Sequence, residues 1–438
     1  MKKCILSVVC LLAGGTNLLM AEEAWTLERC IAYAIEHNIT VKQQQLYKRQ
    51  QETALSSARN ARLPDLSASA SESWGFGRAL SADNTYVSRN TQSTGFGAST
   101  SIPVFTGFRI PNQIALSRLN LQAAAEELKR AKENISIQIT SAYLQVLLSR
   151  DMWQVSRDQT RISTMQQERL ERFLEAGKAA EADVAEARSR TAQDRLSEVQ
   201  AENAYCLSIL DLTQLMELSS PDGFEVVTPE QMQPQPPQET PEDIYRIAVQ
   251  EKPEIKAAEL YLKGAERSVR IARSGYYPSL SLGAGLNTSY YKTSGFASHS
   301  FGRQLQDNFS KSIGLNLSIP LFNRFQTRNA VRDARLQIEN RTLQLEQSKK
   351  SLYKEIQQAY YNTVASEQKY RSSLVAETAA KEAFVLAQKK YEQGKGFSTE
   401  YEEAKNRYVK AISGRLQSLY ENILRTKILA FYKGASLQ

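Results

Sequence analysis

Residues 101–108 read SIPVFTGF, and residues 318–325 read SIPLFNRF. The octapeptide returns after 318 − 101 = 217 residues, each time with a proline beside an apolar run. Upstream of both copies, apolar and small polar residues alternate with period two. Downstream, a helical pattern begins and runs on for dozens of residues. Proline cannot donate to a β-ladder, so it fits the end of a strand better than its middle. Pro103 and Pro320 are therefore read as one strand-to-helix hinge, used twice.

The repetition extends well beyond the octapeptide. ARNARLPDLSA from Ala58 matches ARSGYYPSLSL from Ala272, at an offset of 278 − 64 = 214 between Pro64 and Pro278. At that offset Ala34 meets Ala248, Tyr47 meets Tyr261, Glu52 meets Glu266 and Arg59 meets Arg273. From the octapeptide onward the offset is 217. Ala142-Tyr143 then meets Ala359-Tyr360, and Gly177-Lys178 meets Gly394-Lys395. The chain reads as an internal two-fold repeat: residues 22–220, a Pro/Gln-rich linker over 221–240, and residues 241–438. Each repeat carries a helix (about Thr26–Arg62 and Glu242–Tyr276), a β-hairpin (65–105 and 279–322) and a long helical hairpin. Proline stops the first helix of each repeat at Pro64 and Pro278.

The hairpin segments alternate strictly. Leu66, Ala68, Ala70, Trp74 and Phe76 share one face opposite serines and Gly75, and Glu72 interrupts that face. Phe96, Ala98, Ile102 and Val104 oppose Gly95, Gly97, Ser99 and Ser101. Leu280, Leu282, Ala284 and Leu286, then Ile313, Leu315, Leu317, Ile319 and Leu321, do the same in the second repeat. The segments have about the 9–11 residues of a tilted membrane strand. Aromatics gather at their ends, as in interfacial girdles. The helix after each hinge steps by four and three, through Ile135, Ile139, Ala142, Val146 and Ser149, and through Leu352, Ile356, Ala359, Thr363 and Ser366. That is a coiled-coil seam. From about Arg109 to Glu175 nothing breaks the helix after Pro111, which a first turn tolerates. Gly177 and Gly394 then mark tight turns between antiparallel helices.

Composition narrows the class. The 438 residues are 42% hydrophobic with a net charge of +8. No later segment approaches the ~18 apolar residues of a membrane helix. Residues 1–21 have the basic start at Lys2 and Lys3, the apolar middle and the small Ala21 of a secretory signal peptide. Val9 before Cys10 argues against lipid attachment there. Lys and Arg are interleaved with Asp and Glu along helical stretches, the pattern of a solvated face and no sign of a nucleic-acid partner. No Cys/His cluster has metal-ligand spacing, and no cofactor is expected. Cys30 and Cys206 align with Ile244 (30 + 214) and Ile423 (206 + 217), so both are read as buried, neighbouring thiols, with a disulfide as the alternative. Ser-x-x-Lys occurs at Ser351 and Ser366 inside the long helix, with no companion motif, so no enzyme is expected.

Two hairpins supply four strands, and open strand edges cannot face lipid. Three chains would supply twelve and close a barrel. The order of signal, helix, hairpin, long helical hairpin and linker, then the same again, resembles the outer-membrane efflux proteins, the TolC-like channels. The resemblance implies a mainly α fold with membrane β. It implies a homotrimer with a twelve-stranded barrel in the outer membrane of a Gram-negative-type cell and a long periplasmic helical tunnel. It also implies a periplasmic adaptor, an inner-membrane transporter and a passive export route. The exported cargo is not legible. A soluble periplasmic coiled-coil adaptor or scaffold is the alternative; it accounts for the helices and not for the strands.

Six and nine residues past each tip glycine stand acids: Asp183 and Glu186, then Glu400 and Glu403. In a threefold assembly, inward-facing acids form rings that attract cations. The other role for these acids is to complement a helix N-terminus. The resemblance implies that Asp183 and Tyr391 belong to a latch, with Gly396 standing where a latch arginine would be and Lys395 as its substitute. It also implies that the tips, with Gly177, Lys178, Gly394 and Lys395, contact the adaptor.

Overall fold

A computed structural model describes residues 25–80, 83–228 and 239–435. The signal segment 1–21 with Cys10, and residues 229–238 of the linker, lie outside the described residues. The elements run α1 (Leu27–His37), α2 (Ile39–Asn60), β1 (Asp65–Gly75), β2 (Arg78–Leu80), β3 (Tyr86–Ser88), β4 (Thr91–Thr106), α3 (Arg109–Glu175) and α4 (Glu181–Leu215). They continue α5 (Pro241–Glu251), α6 (Pro253–Arg273), β5 (Ser279–Thr293), α7 (Phe301–Asp307), β6 (Ser310–Ser318), α8 (Gln326–Glu392) and α9 (Ser398–Tyr432).

The first helix of each repeat is broken, where continuous helices were expected. Asn38 adopts extended backbone (ψ 131°), and its Oδ1 accepts from Thr40 N and Val41 N, capping α2. Its Nδ2 also donates to Leu215 O at 3.0 Å, tying the break to the end of α4. Lys252 is extended (ψ 127°) because it precedes Pro253, whose ring disfavours helix in the residue before it. The short helices α1 and α5 thereby turn aside and pack on the long ones. Cys30, Ile31, Ile139, Tyr143, Leu147, Leu212 and Met216 are buried together, and Ile244, Ile255, Leu352, Ile356 and Leu429 form a second cluster. Ile135, Ile139, Val146 and Ser149 of the seam in α3 are buried, as are all five seam residues in α8.

At 1.5 Å per residue, the 67 residues of α3 and of α8 each reach roughly 100 Å. Among the described residues no helix is long and apolar enough to cross a membrane. The apolar surface lies on the sheet instead. Its order is β1-β4-β5-β6, antiparallel throughout, so β4 and β5 join the two hairpins and β1 and β6 are the edges. The register puts Ala68, Ala98 and Leu286 in one row, and Thr100, Ala284 and Ile313 in another. The opposite face carries Ser69, Gly97 and Asn287. The apolar face is open: Leu66 is 83%, Ile313 82% and Leu315 69% exposed. Glu72 sits on it but accepts from Gln92 Nε2 at 2.8 Å and from the Thr94 hydroxyl. The small hairpin β2–β3 and the helix α7 cap the far end of the sheet and were not expected.

Pro103 does not end its strand, as the sequence had suggested. It lies inside β4 opposite Ser281, and the register shifts between Pro103 and Phe105. The missing donor is absorbed by a bulge. The bulge also changes the face: Phe105, not Val104, stands opposite Leu280 on the apolar side. The chain turns into α3 at Gly107 (φ 61°) and Phe108 (φ 64°), and into α8 at Arg324 (φ 54°) and Phe325 (φ 61°). Pro320 lies two residues beyond β6. Left-handed phenylalanines thus make both hinges, held edge-on against Phe105 (5.3 Å between centroids) and Phe322 (5.5 Å). The cysteines are also corrected: both are free, and only Cys30 is buried, since Cys206 is exposed on α4.

Candidate gate at the helical tip

Both long helices end the same way. Gly177 (φ 67°) and Gly394 (φ 71°) take the left-handed turn that a side chain disfavours. Lys178 N then donates to Phe173 O at 2.7 Å, and Lys395 N to Lys390 O at 2.9 Å, closing a six-residue loop over each helix end. All four tip residues, Gly177, Lys178, Gly394 and Lys395, are exposed. Gly396 is tightly placed: a Cβ there would lie 3.2 Å from Lys390 Cβ.

The acids take up different roles. Asp183 is the third residue of α4, and its Oδ2 accepts from Ala180 N at 3.3 Å, so it complements the helix start. Glu400 occupies the same place in α9 and lies 3.4 Å from Lys390 Nζ. Glu186 pairs with Arg190, and Glu403 with Arg407 at 3.6 Å, one helical turn on in each case. Tyr391 stacks on Tyr401, with centroids 5.2 Å apart and planes 18° from parallel. A cavity of about 170 Å³ is lined by Asp183, Glu186, Arg190, Tyr391, Tyr401 and Glu402. Three of the sequence-derived candidates therefore converge, while Glu400 and Glu403 do not line that cavity.

The convergence is a set of ties between the two helical hairpins. Arg190 Nη1 on α4 lies 3.0 Å from Glu402 Oε1 and donates to Ser398 Oγ at 3.2 Å, both on α9. Gln166 on α3 donates to the Tyr401 hydroxyl. Deeper in, Lys405 of α9 is only 4% exposed. Its Nζ reaches Ser163 Oγ at 3.0 Å, Asp194 Oδ2 at 3.3 Å and Glu402 at 3.7 Å. Further along, the Tyr420 hydroxyl donates to Asp151 Oδ2 at 2.7 Å. Burial pushes the Tyr401 phenol up to about 12. Burial, then the neighbouring Asp151, raises Tyr420 as well.

Sequence reasoning missed Arg190, Tyr401, Glu402 and Lys405. One signal was available: Glu-x-x-x-Arg occurs at 186–190 and at 403–407, a spacing that places both groups on one helix face. The partnership of Lys405 with Ser163 and Asp194 joins residues more than 200 apart and has no local signature.

The family model of the outer membrane efflux proteins matches residues 30–217 and 244–418. The chain belongs to the outer membrane efflux protein family. Among relatives in the family, CyaE of Bordetella pertussis is 26% identical over 325 residues, 73% of this chain and 65% of that one. The alkaline protease secretion protein AprF of Pseudomonas aeruginosa is 21% identical over 312 residues, 70% of this chain and 63% of that one. The matched part thus spans under two thirds of both relatives. The solved structure of CusC, reported with the conformational changes that accompany its transmembrane channel formation, superposes with a TM-score of 0.78. It is 17% identical, over 94% of this chain and 92% of that one. The mostly helical fold with its four-stranded sheet thus matches that of a solved TolC-like channel.

Proposed function

We propose that three copies of this chain form an outer-membrane channel, a passive conduit from a periplasmic adaptor and inner-membrane pump to the exterior. The observation that carries the reading is the four-stranded sheet, apolar and exposed on one face and unpaired at β1 and β6. Unpaired backbone groups in lipid cost several kcal/mol each, so the edges must find partners. Joining β6 of one copy to β1 of the next, three times, gives twelve strands. The serine- and glycine-lined face would then enclose the pore. The equal lengths of α3 and α8, and of α4 and α9, support the internal repeat as the source of this near-sixfold cylinder. The secretion named in the AprF relative and the efflux in the family name both fit a shared exit duct.

The tip is the proposed gate. Ties from Arg190, Gln166 and Ser163 to α9 hold the second hairpin against the first. Asp183, Glu186 and Tyr391 sit around those ties, and Arg190 supplies the guanidinium that Gly396 lacks. Glu400 and Glu403 form outer acidic rings. The exposed turns at Gly177-Lys178 and Gly394-Lys395 are the surface offered to the adaptor, whose contact favours a released state that is otherwise minor. Fractionation tests the placement: the chain should stay with membranes through salt and alkaline washes, need detergent, and migrate as a heat-sensitive oligomer. Release by an aqueous wash would favour a soluble coiled-coil scaffold instead.

A further inference from the structure

Where the strands meet the helices, a recess of about 850 Å³ opens between α6 and α8. Four guanidinium groups line it, from Arg273, Arg328, Arg332 and Arg335, together with the rings of Tyr277 and Phe325. None of the lining side chains is a carboxylate, and among the described residues no ion pair joins these four arginines to an acid. Arg328, Arg332 and Arg335 recur at i, i+4 and i+7 on one helix face, where like charges repel. Arg328 is the third residue of α8, which has no acid in its first turn and no side-chain cap from Phe325, and Arg332 and Arg335 lie one and two turns further on. A helix N-terminus is itself positive, so Arg328 adds like charge there, and an anion entering the recess would offset it.

The first repeat keeps half of this charge, since Arg335 aligns with Arg118 (118 + 217) and Arg273 with Arg59 (59 + 214), and it drops the other half. At the 217-residue offset, Pro111 and Ala115 stand in place of Arg328 and Arg332. Yet α3 starts from the same left-handed phenylalanine as α8 (φ 64° against 61°). A chain of aromatic rings runs from the apolar face of the sheet towards the recess. Phe105 is opposite Leu280 on the apolar face. Its ring meets Phe108 edge-on at 5.3 Å, and Phe108 meets Tyr277 edge-on at 6.1 Å. Tyr277 lines the recess, so this chain of rings links the recess to the apolar face of the sheet.

We propose that this recess binds the phosphate of an anionic glycerophospholipid headgroup, whose acyl chains lie along the apolar face beside Phe105, Leu280 and Leu317. Guanidinium groups hold phosphate oxygens through paired N–H donors, and exposed rings at the same level suit the headgroup boundary. This inference rests on the membrane placement proposed above. It adds a headgroup site fixing the height of the barrel in the leaflet on the helical side.

The test uses the detergent-purified assembly of the mature chain. It is incubated with phosphatidylglycerol, phosphatidylcholine or inorganic phosphate, and bound adducts are counted by native mass spectrometry. Phosphatidylglycerol should be retained at least five-fold better than phosphatidylcholine. R328Q/R332Q should lose at least five-fold of that retention, and R328K/R332K, which keeps the charge, should lose less. Equal retention by the parent and the glutamine variant would overturn the site. Displacement of phosphatidylglycerol by equimolar inorganic phosphate would overturn the lipid assignment in favour of a free-anion site. A sheet-containing, detergent-dependent oligomer with no headgroup preference would sink this inference alone. A body soluble without detergent would sink the membrane reading beneath it.

Discussion

Arg190, in the first helical hairpin, lies 3.0 Å from Glu402 in the second. The pair is partly shielded and charge-assisted, and it shares its guanidinium with Ser398 and Glu186. It joins α4 directly to α9 near the tip, and in the proposed gate it restrains α9. Replacing Glu402 by Gln keeps the shape and removes the charge. In planar bilayers, E402Q should show several-fold higher mean conductance than the parent channel, and R190Q should do the same. Unchanged conductance in both would show that the pair does not restrain the gate.

Lys405 should matter more for stability than for conductance. Its amine is buried against Ser163, Asp194 and Glu402. K405M strands two carboxylates near one another and should cost about 2–3 kcal/mol, somewhat below the cost of breaking a fully buried pair because Asp194 keeps some solvent. The double variant K405M/D194L should recover part of the loss. Thermal unfolding of the detergent-solubilised protein measures both, and an unaltered melting profile for K405M would refute the assignment.

Alkaline pH should loosen the tip. Tyr401 stacks on Tyr391, and burial pushes its phenol up to about 12, against an ordinary value near 10. The folded state therefore holds this proton longer than the unfolded chain. Stability is full below pH ~10 and falls as pH rises from ~10 to ~12, by roughly 2 kcal/mol from this group. Y401F removes that contribution, so its stability should decline less steeply over that window. Identical slopes for Y401F and the parent would contradict the argument.

Much of this was written into the sequence, and the failures are instructive. The long helices, the seams and the tip glycines follow from periods and from backbone rules that act over a few residues. The breaks at Asn38 and Lys252 were also local, in a capping asparagine and an X-Pro pair, but each stood inside a helical pattern that outweighed it. Pro103 misled because a bulge can accommodate a proline within a strand, and only the pairing partner, Ser281, reveals the bulge. The residues around the tip cavity were half legible. Asp183 and Glu186 follow from counting past the tip glycine, and Tyr391 from the family resemblance. Lys405 follows from neither, because its partners come from the other repeat.

Glu400 offers a separate check on the outer ring. It lies 3.4 Å from Lys390 Nζ, and both side chains are well exposed. If three copies form a ring near the entrance, E400K should lower cation preference, and the shift should fade as salt rises because exposed charges are screened. Reversal potentials under a salt gradient report this. A salt-independent result would place Glu400 away from the ion path.

The central claim is that β6 of one copy pairs with β1 of the next to close a barrel. Single cysteines placed along β1 at Ser67, Ser69 and Ser71 can be combined with others along β6 at Ser312, Gly314 and Asn316, with Cys30 and Cys206 replaced. Oxidation in intact membranes should give a ladder of linked chains that ends at the trimer, with strong linkage for one register and weak linkage two residues away. A ladder that stops at the monomer, or runs past three, would contradict the closed twelve-stranded barrel.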